Sequence, residues 1–549
     1  MGRWQRYWFA EGGRTACAAL RIAIALSVLF TLHRLATLST VQLPGPPELY
    51  RPVGIWMLLG HAIPPDGLIA LLWVLAWGGS VAMLLGLATR AATAISFVGA
   101  VSITSLSFAS TATWSHQYNV VLLAQLAFLG ARGGDTWSLD ALIRRGRGLP
   151  PVDVARGYQW SVRLVQLAVA LMFVGAVAHK LGHGKLTLRW ALSDSLRHHL
   201  LVRYDLAGIE RPALVDWLLE DVWRYRTAAM LNLISQATPI LAVFFIRRPW
   251  VRAFAGLMFV AEVLGLGFVV SLWNQHWLPL AAAFVDWDAL VAWARRIAKL
   301  PARPASPSDP PDPPGRFPSR RLRGWIVFFV AYDALTSFIP TLDQKLNTYP
   351  FTGFPMFSVV RARAPYDEHH SYEVPGDRYE VTSDLPLSPA QQRWFDHQNR
   401  RLFTVADPAE LRRRLTAILE TAQKRYPDRG IRGVRHYLAI YQAQAYPAPA
   451  RFDVHPIAIT AEIRADGSYH SMLGKLVASG AETAPEGVSA DGARLVSYGD
   501  DLPSPVELAA TRTEQGFVFV RPDADPLYVV AIVDGTPWLV AAKRSWRWQ

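Results

Sequence analysis

The most chemically loaded residue in this sequence is a lysine at the end of an apolar run of membrane length. Lys180 follows His179 at the close of the run that begins at Tyr158, with Arg163 and Gln166 near the other end. Hydrocarbon does not tolerate a charged amine uncompensated. The ammonium either snorkels to the headgroups or sits in a sheltered cavity, where its neutral form can act as a general base. Gln166, Phe173 and Lys180 recur at heptad spacing, so they share roughly one helix face, read as looking into a bundle.

His116 lies in the short connection Thr113-Trp-Ser-His-Gln-Tyr-Asn119 between two apolar runs. It is either an interfacial imidazole solvated by headgroups or a partner of Lys180 that donates to, or accepts from, a buried ligand. Trp114 in the same stretch is assigned with Gln166, Phe173 and Asn274 to the lining of a substrate or quinone pocket. Asn274-Gln275, in a tight turn between two runs, is either a plain turn or a cap over that pocket from outside. His179 and His183 stand at i,i+4, a metal- or haem-ligand spacing. Gly182 and Gly184 interrupt the helix there, no second matching pair lies in an apolar run, and no metal site is expected. His198-His199 falls on an amphipathic stretch read as surface, and His33 and Arg34 read as interface anchors. No Gly-rich phosphate loop, nucleophile elbow or His-Glu-x-x-His motif is present.

These residues must be held by the elements around them. A span needs about 20 apolar residues. Runs of this kind cover Cys17–Leu38, Leu68–Ala88, Ala91–Ser110, Asn119–Ala131, Gln159–Ala178, Ala228–Ile246, Ala253–Leu272, Trp277–Ala294 and Gly324–Phe338, about nine spans in all. With a cytoplasmic N-terminus, the inner loops hold Arg90, the cluster from Arg132 to Arg156, Arg247, Arg248 and Arg252, and the arginines from 295 to 323. The opposite loops 40–67, 111–118 and 271–276 hold only Arg51. This is the positive-inside pattern. It makes the chain a multi-pass membrane protein with the N-terminus cytoplasmic and, for an odd number of spans, the C-terminal region outside; one span more or fewer inverts that side. The longer loop after Lys180 carries several Arg and His and is expected to form surface helices around Leu186–Arg203 and Pro212–Arg226.

Residues 301–318 form a Pro-rich linker on the cytoplasmic side, unable to pack a core. The segment 347–357 is an aromatic and proline run suited to the membrane interface. The sequence therefore divides into a helical membrane domain, 1–345, and an extracytoplasmic α+β domain, 346–549. In the latter, Asp407-Pro-Ala-Glu410 opens a helix to about Tyr426. Arg435–Gln442 reads as a strand. Ile457–Arg464 and Tyr469–Val477 around Asp466-Gly467 read as a hairpin, and Gly516–Arg521 with Tyr528–Val533 as a closing pair of strands.

Composition agrees. The chain has 549 residues, 51% hydrophobic and only 18% charged, with 21 Trp and a formal net charge of +13. The positive excess lies between apolar runs, so nucleic acid is excluded as a partner and membrane lipid expected. One cysteine, Cys17, rules out an intrachain disulfide framework and a cysteine-based metal site.

Several segments resemble the vitamin K-dependent gamma-carboxylase family, whose bacterial relatives carry the HTTM (horizontally transferred transmembrane) domain. They are Met83-Leu-Leu-Gly-Leu-Ala-Thr-Arg90, Thr113-Trp-Ser-His116, Phe128 to Trp137-Ser-Leu-Asp140, and Phe173-Val-Gly-Ala-Val-Ala-His-Lys180-Leu. More weakly, so do Tyr349-Pro-Phe-Thr-Gly-Phe-Pro-Met356 and Gln423-Lys-Arg-Tyr426. The resemblance implies a carbon–carbon lyase-type carboxylase. Lys180 would stand as the base that deprotonates a reduced naphthoquinone of the vitamin K or menaquinol type. His116 would assist carbanion formation and carboxylation at a glutamate of a protein or peptide substrate. The sequence departs from the family by lacking a His near Ser358, by extra residues between Lys180 and Trp190, and by a shorter soluble domain. Two alternatives stand beside this reading: another quinone-linked or lipid-modifying membrane enzyme, and a non-catalytic scaffold presenting the C-terminal domain.

Overall fold

Long uninterrupted apolar runs satisfy their backbone groups internally, and helices follow. The structure, a computed structural model, describes residues 2–342 apart from short gaps and the segment 300–318. In the C-terminal region it describes 372–385, 408–443, 452–473, 476–478, 494–498, 506–508, 510–513, 516–519 and 528–542, with a few isolated positions. Trp114, the linker 301–318 and the aromatic run 347–357 lie outside the described residues.

Among the described residues, six helices are long and apolar enough to cross a membrane. They form α1 (Arg14–Gln42), α2 (Asp66–Leu85), α3 (Thr89–Thr111), α6 (Gln159–His183), α7 (Val222–Ala237, continued through short turns to Phe244) and α8 (Pro249–Val270). Of the nine expected runs, six meet this test of length and composition, or seven if the bent pair described below is one span. The run from Asn119 makes only α4 (Asn119–Ala127), 9 residues, which at about 1.5 Å per residue spans roughly half a bilayer. The run from Trp277 breaks into a 3₁₀ segment, Gln275–Phe284, and α9 (Trp287–Ile297), bent by 84° from each other. Asp286 caps α9 by accepting from Ala289 N at 3.2 Å and so starts the helix in its new direction. The last expected span falls in α10 (Arg320–Leu342), which holds three arginines in its first turn and a fully buried Asp333, and is not among the six.

Small residues let α2 and α3 approach as a tight hairpin. A Cβ on Gly79 would meet Ser96 N at 2.6 Å, and one on Gly99 would meet Ala76 Cα at 2.6 Å. Buried polar groups bind the pair. Ser80 and Ser96 hydroxyls lie 2.7 Å apart, and Gln125 Nε2 of α4 donates to Ser96 Oγ at 2.6 Å. Gly86 ends α2 in the left-handed conformation (φ +70°), where an added Cβ would lie 1.9 Å from a guanidinium nitrogen of the buried Arg21. Asp140, in α5 (Leu139–Gly146), then caps α3 by accepting from Ala88 N, Thr89 N and Thr89 Oγ1 at 2.8–2.9 Å.

The second expected helix of the loop after Lys180 forms as Ala213–Leu219 with Leu214 and Trp217 exposed, whereas the first departs from expectation. The stretch read as surface helix folds inward as Arg189–Leu192 and Ser195–Leu201, and every residue of the latter is buried, His198 and His199 included. Its polar side chains have inner partners: Asp194 accepts from Tyr225 Oη at 2.6 Å and pairs with Arg226 at 3.2 Å, fixing the segment to α7.

The C-terminal region carries β1 (Tyr372–Thr382), α11 (Pro408–Arg425), β2 (Gly433–Ala443), β3 (Phe452–Arg464), β4 (Tyr469–His470), β5 (Leu476–Ala478), β6 (Arg494–Tyr498), β7 (Val506–Leu508), β8 (Ala510–Thr513), β9 (Gly516–Phe519), β10 (Tyr528–Val533) and β11 (Thr536–Ala542). Among the described residues the main sheet runs β1-β2-β3-β11-β10-β6-β7, with β4 on β3, and is antiparallel except where β11 meets β3. Leu411, Leu415 and Ile418 of α11 pack on Val434, Ala461 and Ile463. The helix and the β2 strand stand where the sequence places them. The expected hairpin has a second arm of only two residues, because β5 leaves for a small sheet with β9 and β8. The segments Gly516–Phe519 and Tyr528–Val533 lie in different sheets and do not pair. Alternating patterns mark strands but carry no information about partners.

His436 of β2 is fully buried beside the Tyr379 ring (5.5 Å between centroids), and neither ring nitrogen has a partner among the described residues. Burial pulls its pKa down to about 3. An unfolded His titrates near 6.5, so between the two values the unfolded state holds more protons. Stability therefore falls as pH drops from about 6.5 toward 3, by about 1.4 kcal/mol per unit. Hydrogen exchange across 433–443 is expected to accelerate between pH 7 and 5 beyond its intrinsic pH dependence, and His436→Leu to remove that excess. An unchanged slope in the variant refutes the assignment.

Candidate functional site

Lys180 does not snorkel. It is 1% exposed, and its ammonium is held from three directions. Nζ donates to Asn232 Oδ1 at 2.6 Å and to Gln236 Oε1 at 2.8 Å, both on α7 one helical turn apart. The third direction meets the face of Trp190, 4.2 Å from Nζ to the ring centroid. Trp190 belongs to the inward-folded loop and in turn lies 6.3 Å from the His199 ring.

Behind the two amides stands a carboxylate. Asn232 Nδ2 and Gln236 Nε2 donate to Glu262 Oε1 at 2.7 and 2.8 Å, and Ser235 Oγ donates to Oε2 at 2.5 Å. Glu262 is buried in the middle of α8. Each amide therefore presents oxygen to the lysine and nitrogen to the glutamate. That orientation is fixed by charge: an ammonium has only donors and a carboxylate only acceptors. The pair is net neutral, which is how two ions are held inside an apolar bundle.

The rest of the heptad face fills with rings and one polar staple. Phe173 packs edge-on to Phe259 (5.6 Å) and Trp277 (5.9 Å). Gln166 Nε2 donates to Ala283 O at 2.6 Å. Gln166 shares the face of Lys180 but lies two heptads away, about 21 Å along the axis at 1.5 Å per residue, so it staples the 275–284 segment to α6 well away from the amine. Heptad spacing selects a face and says nothing of depth.

His116 opens a 3₁₀ turn, His116–Tyr118, and lies within electrostatic reach of His179, the neighbour of Lys180. The turn is clamped: Gln117 O accepts from His276 Nε2 at 2.8 Å and from Trp277 Nε1 at 2.6 Å. A carbonyl only accepts, so His276 carries its proton on Nε2. Asn274 is buried with Oδ1 lacking a partner among the described residues, while its backbone carbonyl accepts from Trp277 N at 2.9 Å. His116, Asn274 and Lys180 lie toward the same ends of their elements, where α3 and α8 finish and α6 nears its end.

Glu262, Asn232, Gln236, Trp190 and His276 were absent from the sequence-based site. Glu262 had a legible signal, an ionisable residue at the centre of an apolar run. The others are ordinary residues made important only by position. Among the described residues no cluster of three or more metal-ligating side chains exists. Comparison with known proteins finds no matching family model, no similar characterised protein and no similar solved structure.

Proposed function

We propose that this chain is a multi-pass membrane enzyme that carries out quinol-dependent chemistry with Lys180 as the base, in the manner of the gamma-carboxylases it resembles, the acceptor being a glutamate of a protein or peptide. Its N-terminus and arginine-rich loops face the cytoplasm. The observation that carries the reading is the amine itself, withdrawn from lipid and water and gripped at two of its three hydrogens. A neutral Lys180 keeps two N–H donors for Asn232 and Gln236, and its lone pair then occupies the third direction, toward Trp190. A proton delivered from that side restores the ammonium without moving either amide, which is preorganisation of a general base. Glu262 supplies the counter-charge once the proton arrives.

A reduced naphthoquinone would be held beside Asn274, whose buried Oδ1 is short of a donor such as a phenolic hydroxyl, and beside Trp277, whose ring packs with Phe173, itself against Phe259. When bound, that group supplies the reducing equivalents and, with oxygen, the strong base needed to abstract a carbon-bound proton. His116 would handle a proton at the carbon being carboxylated, the role the resemblance implies. The test is turnover: full-length protein in lipid nanodiscs is expected to consume reduced menaquinone aerobically and to incorporate labelled carbon dioxide into a glutamate-containing peptide. Quinol consumption without label incorporation supports the wider class of quinone-linked enzymes; neither activity retires the proposal.

A non-catalytic reading has its own support, because Lys180 and Glu262 are fully satisfied by each other's bridge. Such a pair can serve only to specify helix packing, and the scaffold alternative then stands.

A further inference from the structure

A cavity lies away from Lys180, at the end of the bundle where α1 and α3 begin and α2 ends. Its volume is about 1520 Å3, and its walls include α5 and α9. Eight arginines and three aspartates line it, a formal excess of five positive charges. The aspartates are already engaged. Asp140 caps α3, Asp135 accepts from Tyr158 Oη at 2.9 Å and pairs with Arg132 at 3.6 Å, and Asp288 accepts from Gly13 N at 3.3 Å. Arg90, Arg145, Arg147 and Arg296, by contrast, make no ion pair among the described residues.

The rim has a second character. Neither α5 nor α9 buries any residue. Both carry large exposed apolar side chains beside their arginines: Leu142 and Ile143 on α5, Trp293 and Ile297 on α9. Helices of this kind lie in the plane of the membrane interface, apolar side into the acyl region. A topological excess of arginine needs only a flat solvated surface; here the excess lines a concavity bordered by lipid-facing helices.

We infer that this cavity is a binding site for the phosphate headgroup of an anionic phospholipid. The phosphate is held by Arg145 of α5, Arg147 just past its end, Arg296 from α9 and Arg90 from α3, and the acyl chains run over Leu142, Ile143, Trp293 and Ile297. Guanidinium groups match phosphate oxygens in a bidentate fork, and basic pockets at helix ends are where such headgroups bind. The inference is independent of any role for Lys180.

Native mass spectrometry of the full-length protein in detergent tests it, with phosphatidylglycerol, phosphatidylcholine or inorganic phosphate added. Retained phosphatidylglycerol without retained phosphatidylcholine is expected, together with a rise in thermal midpoint that is lost at high salt. The triple substitution Arg145→Gln, Arg147→Gln, Arg296→Gln changes exposed residues and is expected to weaken phosphatidylglycerol binding roughly a hundredfold, at about fivefold per charge. Arg320→Gln and Arg321→Gln, outside the cavity, are expected to leave it unchanged. Equal retention of both lipids, undiminished binding in the triple variant, or inorganic phosphate raising the midpoint as much as the lipid does, each overturns the assignment.

Discussion

Replacing Lys180 by Arg is expected to reduce quinol consumption by about 10²–10⁴-fold, the usual contribution of a positioned general base, while the protein still assembles. Arginine keeps the positive charge opposite Glu262 and can still donate to Asn232 and Gln236. It cannot, however, give up its proton in a protein. The substitution therefore separates charge from basicity, which Lys180→Ala does not, since removing the amine also strands Glu262. Lys180→Ala is expected to lose activity at least as completely. The measurement is the rate of quinol consumption in nanodiscs, with helical content and thermal midpoint recorded alongside. Wild-type rates in the arginine variant would falsify the base assignment outright. A parallel collapse of midpoint and rate would move the residue from chemistry to architecture.

The second large effect concerns stability. Glu262→Leu is expected to destabilise the bundle by about 3–5 kcal/mol, because it leaves the Lys180 ammonium buried without its counter-charge. Lys180→Met is expected to cost a similar amount, since Glu262 then keeps three donors around a charge with no opposite. The double variant Lys180→Met, Glu262→Leu should recover part of either loss, because no unpaired ion then remains, although the Asn232 and Gln236 amides lose their partners. Reversible unfolding in mixed micelles gives the three free energies and the coupling between them. Simple additivity of the single effects would show that the amide bridge carries no interaction between the ions. Full activity in the double variant would refute Lys180 as the base and leave the pair a device of helix packing.

Much of the architecture was readable from residue order. Apolar runs of about 20 residues could be nothing but membrane-length helices, and six of them are so in the structure. The runs that failed had interruptions whose weight depends on surroundings. Asn119–Ala131 was too short, and Asp286 turned its segment through 84° because a carboxylate next to free N–H groups begins a helix wherever it stands. The stretch around His198 looked like surface because its arginines and histidines read as the solvated side of an amphipathic helix. It folds inward because Tyr225 and Arg226 satisfy Asp194 from the other side, and composition cannot reveal a partner 31 positions away.

The same division holds at the site. That Lys180 is exceptional follows from the chain alone, since an amine in hydrocarbon demands a reason. So does the division into apolar helices and a β-rich C-terminal region, since each obeys a local period. What answers the amine was settled only in three dimensions. Its acceptors lie 52 and 56 positions away, on a helix whose rotation and depth are fixed by packing against α6 and α8. A hydrogen bond needs its atoms within about 3 Å, a tolerance far finer than any periodicity in sequence can specify.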